Sequence, residues 1–94
     1  MIKLQPDETQ LIGEWKLVNG VVVGNEACDR IDLLTSEYLK HIATDASGWE
    51  KLYRDPEDGR YWEHTYPHSE MHGGGPPTLT CISAEEAKRK YGVD

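Results

Sequence analysis

The apolar positions along the chain change period several times, and each change marks an element. Leu11, Ile12, Trp15, Leu17 and Val18 give the stretch Leu11–Val18 a strand character. Asn19-Gly20 follows, a pair that tolerates the positive φ angles of a two-residue hairpin turn, and Val21-Val22-Val23 supplies the return strand. The period then lengthens. Ala27, Cys28, Ile31 and Leu34 recur at helical spacing, with Glu26, Asp29, Arg30 and Asp32 opposite them and Asn25 at the N-cap position. This predicts a helix from Asn25 to about Thr35, an extended course being the alternative in a β-rich chain. Glu37–Thr44 reverts to strand-like alternation with its Tyr, Ile and Thr content. At the start of the chain, Pro6 with acids behind it predicts one helical turn within Leu4–Thr9.

The stretch Trp49–Pro77 organises the rest. It holds two of the three Trp, three of the five Tyr, three of the four His and four of the five Pro. Asp45-Ala46-Ser47-Gly48 is a turn leading into it. Trp49–Asp55 and Arg60–Tyr66 read as strands joined by Pro56-Glu57-Asp58-Gly59, which with Glu37–Thr44 makes a three-stranded meander. The loop sets Asp55 opposite Arg60, hence Tyr53 opposite Trp62 and Trp49 opposite Tyr66. Those four rings are predicted to face the core. Glu50, Leu52, Arg54, Tyr61, Glu63 and Thr65 lie on the other, wetter side.

Gly73–Pro77 reads as a structured loop and Thr78–Ile82 as a short last strand. Ser83-Ala84-Glu85-Glu86 is a capping box that starts a C-terminal helix, and Lys88, Arg89 and Lys90 complement its dipole before Gly92 ends it. The expectation is one α+β domain over residues 1–94, a small antiparallel sheet with one or two packed helices. The sheet comprises the meander, the N-terminal hairpin and the late strand. Gly13-Glu14-Trp15 near a first strand resembles the lipocalin start, but 94 residues do not hold an eight-stranded barrel comfortably.

Composition adjusts this picture in three ways. Phe is absent, so the Trp and Tyr rings must fill much of a modest core while keeping a partner for each polar tip. A net charge of −7 argues against nucleic acid and anionic membranes as partners and suits a basic protein. No apolar leader follows Met1, and Cys28 and Cys81 are far apart in no metal spacing, which predicts a cytoplasmic protein with reduced thiols.

Candidate chemistry is sparse. His64, His68 and His72 are spaced by four, but Pro67 forbids a helix there, and in an extended chain His64 and His68 stand about 13 Å apart. A small metal-dependent hydrolase built on these histidines is the alternative reading, with surface or backbone-bonded histidines the plainer one. His72-Gly73-Gly74-Gly75 resembles an esterase oxyanion stretch, yet no nucleophile elbow accompanies it. It is no phosphate loop either, since Lys and Ser/Thr do not follow the glycines. From Asp45 to Glu70 seven acids face three bases, interleaved with Tyr and Trp, which is the composition of a recognition surface. A homodimeric structural module would use the same aromatic patch.

PDETQLIGEW (Pro6–Trp15), SGWEKLYRDPEDGRYWE (Ser47–Glu63), YPHSEMHGGGPP (Tyr66–Pro77) and AKRKY (Ala87–Tyr91) together resemble the immunity protein 27 family of bacterial polymorphic toxin systems. The resemblance implies an antidote that binds and neutralises a cognate toxin domain, often a nuclease, with no catalysis and no cofactor of its own. The glycines and prolines of the motifs are expected to be scaffold. Toxin contacts are expected at Glu50, Asp55, Glu57, Asp58, Tyr61, Glu63 and Glu70. An acidic hairpin of this kind would mimic the phosphates that a nuclease grips.

Overall fold

The computed structural model describes residues 3–67 and 75–93. Its strands are β1 (Gln10–Ile12), β2 (Trp15–Val18), β3 (Val21–Gly24), β4 (Lys40–Thr44), β5 (Lys51–Arg54), β6 (Tyr61–Thr65) and β7 (Thr78–Ile82). Helix α1 (Glu26–Leu33) runs into a π-helical turn (Leu34–Tyr38), and α2 (Ala84–Tyr91) ends the fold. The main sheet is antiparallel in the order β1-β7-β6-β5-β4, and β2 and β3 pair only with each other. The class is α+β, as the sequence predicts.

The stretch expected as one strand, Leu11–Val18, is two. At Gly13 the chain leaves the main sheet, where β1 pairs with β7, and turns out into the β2–β3 hairpin. The Gly13 N–H donates to the Pro77 carbonyl at 2.8 Å. A Cβ at Gly13 would lie 2.5 Å from that oxygen and 2.7 Å from Cys28 Sγ, so only glycine fits this crossing. Asn19 and Gly20, at φ of 52° and 79°, turn the hairpin as predicted.

Asn25 caps α1 by accepting from the Cys28 N–H. Past Leu33 the coil widens, and the Leu39 N–H reaches the Leu34 carbonyl at 2.7 Å. The Thr35 and Ser36 hydroxyls donate to the Ile31 and Asp32 carbonyls at 2.9 and 2.7 Å and compete with the backbone ladder there. The strand expected from Glu37 therefore begins only at Lys40, and it carries a bulge between His41 and Ala43. The first residues make a turn at Pro6-Asp7, closed by Glu8 N–H to the Gln5 carbonyl at 3.1 Å, in place of a helical turn.

The β5–β6 register is the one expected, with Tyr53 opposite Trp62 and the Asp55 N–H bonded to the Arg60 carbonyl at 2.9 Å. Tyr53 and Trp62 face α1 and join Leu4, Ile31, Leu34, Leu39 and Leu79 in the core. Full burial of each aliphatic side chain there is worth about 1.5–3 kcal/mol. Two expectations fail. Trp49 lies outside β5 and is 63% exposed, its ring set edge-on to Tyr66 at 6.1 Å. The supposedly wetter face is covered by α2, so Leu52 is fully buried, as is Ala87 of the helix.

That helix starts as its capping box requires. Ser83 Oγ accepts the Glu86 N–H at 3.1 Å, and Gly92, at φ 71°, closes the far end onto the Lys88 carbonyl.

Candidate functional site

The Pro56–Gly59 loop between β5 and β6 is built on Asp55. Sequence reasoning places this carboxylate on the surface, but only 1% of the residue is exposed. Its Oδ1 accepts from the Tyr38 hydroxyl at 2.6 Å and from the Glu57 N–H at 2.8 Å. Gly59 takes φ 78° and donates its N–H to the Asp55 carbonyl at 2.8 Å. A buried carboxyl group needs hydrogen bonds in place of water, and here a hydroxyl and the loop's own backbone supply them. Asp55 is the pivot of the loop.

The pivot turns Glu57 and Asp58 outward. Glu57 has a largely solvated side chain, with Lys3 Nζ 3.6 Å from one oxygen. Asp58 takes the Arg60 guanidinium at 2.7 Å. Partial burial works against the Asp58 charge, but the Arg60 N–H and guanidinium outweigh it and hold the carboxyl below its ordinary range. Arg60 also clasps the N-terminal segment through the Glu8 and Gln5 carbonyls, at 2.6 and 3.0 Å, and lies 5.0 Å over the Trp62 ring. The loop thus carries two exposed carboxylates on a braced backbone.

Glu50 and Glu63 form a separate cluster. Both accept from Lys90 of α2, Glu63 at 2.6 Å, and Glu63 also accepts the Tyr91 hydroxyl at 2.8 Å. Burial opposes the Lys90 charge, but the two carboxylates prevail and raise its pKa. Burial first, and then the bond to Glu63, raises that of Tyr91. These acids dock a helix. Tyr61, half-buried on the same sheet face, has the Arg54 guanidinium 5.6 Å from its ring centre. Glu70 lies outside the described residues, as do His68 and His72.

His64 is buried on the α1 face between the Tyr53 and Tyr66 rings, at 6.3 and 5.1 Å. Neither ring nitrogen has a hydrogen-bond partner among the described residues. Burial, reinforced by Lys51, pushes its pKa down, with Asp32 pulling the other way. No group of three or more His, Cys, Asp or Glu converges on a metal-sized site among the described residues.

The hairpin strands predicted from Leu17, Val18 and Val21–Val23 form, but most of their side chains are uncovered. Leu17 is 72% exposed and Val22 57%, directly across from each other. At the base of the hairpin, Trp15 borders a cleft of about 340 Å³ with Asp29, Asp32, Tyr66 and Pro77. Composition offers no signal for this exposure: Lys16 is the only charge in Trp15–Gly24, as it could be in a buried hairpin.

Exposed carboxylates beside an open apolar hairpin have the composition of a protein-contact surface. Residues 17–83 match the family described as Immunity protein 27, and the chain belongs to that family. No curated protein and no solved structure matches it. No described helix is long and apolar enough to cross a membrane.

Proposed function

We propose that the protein is a cytoplasmic antidote that binds a cognate polymorphic-toxin domain and blocks its active site, without catalysis or cofactor. The toxin domain is basic, as a nuclease that grips phosphates must be. The observation that supports this reading is the acidic loop whose backbone Asp55 fixes, leaving the Glu57 and Asp58 carboxylates exposed at its tip. Carboxylates fixed before encounter steer a basic partner and imitate phosphate spacing better than mobile ones. Glu50 and Glu63 act behind them by holding α2 against the sheet.

The test begins with affinity capture of the tagged chain from its host, followed by assay of the captured domain on plasmid DNA and total RNA. A single partner with a basic toxin domain, silenced at one equivalent of the protein, is expected. Glu57→Gln with Asp58→Asn should slow association roughly tenfold and flatten its salt dependence. An unchanged association rate would remove this loop from the interface, and a saturated toxin that still cleaves would refute occlusion.

A further inference from the structure

The exposed apolar side chains of the described residues concentrate on the β2–β3 hairpin. Leu17, Val18, Val21 and Val22 are each between 45% and 72% exposed, and the fold covers neither face of this two-stranded sheet completely. An isolated hairpin gains little from such residues in water, and monomeric proteins seldom leave them contiguous without a use. The ladder sorts them by face. Leu17 pairs with Val22 and Trp15 with Gly24, which places these four on one side. Val18, Val21, Lys16 and Val23 occupy the other.

The first of these faces does not end at the hairpin. Trp15 and Gly24 also line the cleft that contains Asp29, Asp32 and Tyr66. Asp29 and Asp32 are exposed and three residues apart on α1, so they share a helix face. The nearest base in sequence, Arg30, is committed to Glu8. Among the described residues no cationic side chain lies within ion-pair distance of either aspartate. The result is an apolar strip that runs into a carboxylate pair flanked by two aromatic rings.

We infer that this strip is a second contact surface for the toxin protein, receiving an Arg or Lys side chain in the cleft and its apolar neighbours along Leu17 and Val22. The inference rests on the reading that the chain neutralises a toxin. Charge complementarity selects this occupant over a second copy of the chain. Lys16, the hairpin's single cation, lies on the opposite face, so a symmetric partner would offer the aspartates nothing and bring two acidic cleft mouths together. A guanidinium there meets both carboxylates and the Trp15 or Tyr66 ring, a pairing suited to Arg.

The experiment uses the toxin domain captured as above and measures Kd by surface plasmon resonance for the full chain and four double variants. Leu17→Asp/Val22→Asp should weaken binding roughly a hundredfold, because two central apolar contacts acquire buried charge. Asp29→Asn/Asp32→Asn should weaken it roughly tenfold, mostly through faster dissociation, in contrast to the association-rate effect of the acidic loop. Val18→Asp/Val21→Asp, on the opposite face, should leave Kd unchanged. Leu17→Ser/Val22→Ser provides a gentler version if the Asp pair disturbs folding by circular dichroism, and should still weaken binding at least tenfold.

Unchanged Kd in the Leu17/Val22 and Asp29/Asp32 variants, with the wild-type chain binding tightly, would overturn this surface and leave the antidote function standing. Equal losses on both hairpin faces would also overturn it. So would a concentration-dependent dimer of the free chain that Leu17→Asp abolishes in sedimentation. A wild-type chain that captures no toxin domain would overturn the antidote function itself.

Discussion

The Tyr38 hydroxyl donates to Asp55 Oδ1 at 2.6 Å, joining the end of the π-helical turn to the first residue of the acidic loop. Burial, together with the negative charge of Asp55, drives the phenol pKa upward, so the hydroxyl remains a donor at every physiological pH. One bond therefore couples the α1 side of the core to the residues that present Glu57 and Asp58. It makes the loop geometry a property of the whole domain.

Asp55→Ala should destabilise the fold by about 2–3 kcal/mol, since the Tyr38 hydroxyl and the Glu57 N–H both lose an acceptor. Tyr38→Phe should cost about 1–2 kcal/mol and leave the loop backbone bonds intact. Urea unfolding monitored by Trp fluorescence measures both. If Asp55→Ala left stability unchanged but abolished toxin binding, Asp55 would be a contact residue and its assignment as the pivot would be wrong.

The Lys90 cluster calls for a smaller number. Lys90 is 40% exposed on its side chain and Glu63 15%, so solvent screens the pair only in part. A double-mutant cycle with Lys90→Met and Glu63→Gln should return a coupling of about 0.5–1 kcal/mol. Tyr91→Phe should cost about 1 kcal/mol through the lost bond to Glu63. A coupling near zero would mean that the Lys90–Glu63 pair contributes nothing to holding α2.

What was legible in the sequence was local. The Ser83 box, the Asn19-Gly20 turn and the Tyr53–Trp62 register depend on residues a few positions apart, and each appears as read. What was illegible depended on distant partners. Asp55 is buried because Tyr38 reaches it across 17 positions, and the face of Glu50 and Leu52 is covered because Lys90 lies 40 positions beyond Glu50. The break at Gly13 required knowledge of Pro77. The exposure of Leu17, Val21 and Val22 was illegible because an interface-forming hairpin has the same composition as a core one. Of the described carboxylates expected to meet a partner, Glu57 and Asp58 are exposed, Asp55 is buried, and Glu50 and Glu63 bond to Lys90.

Gly13 and Gly20 separate steric from conformational demands on glycine. Gly13→Ala places a methyl against the Pro77 carbonyl and Cys28 Sγ, and backbone cannot yield as a flexible side chain would. A loss of at least about 2 kcal/mol is expected, with β1 lifted from its place beside Pro77. Gly20→Ala meets nothing within 4 Å and pays only for its φ of 79°, about 1–2 kcal/mol. Chemical denaturation of the two variants side by side would reveal the order, and equal losses would contradict the close crossing at Gly13.

His64 sets a pH dependence with a definite sign. Burial lowers its folded pKa beneath the ordinary value of 6.5, so the unfolded chain takes up the proton first as pH falls. Stability is therefore complete above about pH 6.5, declines as pH drops toward the folded pKa, and is lost to this group below it. His64→Phe removes two ring nitrogens that lack partners among the described residues and keeps a ring between Tyr53 and Tyr66. At pH 7.5 the variant should lie within about 1 kcal/mol of wild type, because no buried hydrogen bond is sacrificed. The difference between the two should then move in favour of Phe as pH falls below 6.5, while His64→Ala should cost about 2–4 kcal/mol at pH 7.5 through the cavity it leaves, a cost that shrinks over the same acid range. Urea midpoints at half-unit intervals from pH 7.5 to 4.5 provide the comparison. Parallel wild-type and Phe curves would show that His64 protonates equally in both states, and the buried, neutral imidazole would have to be abandoned.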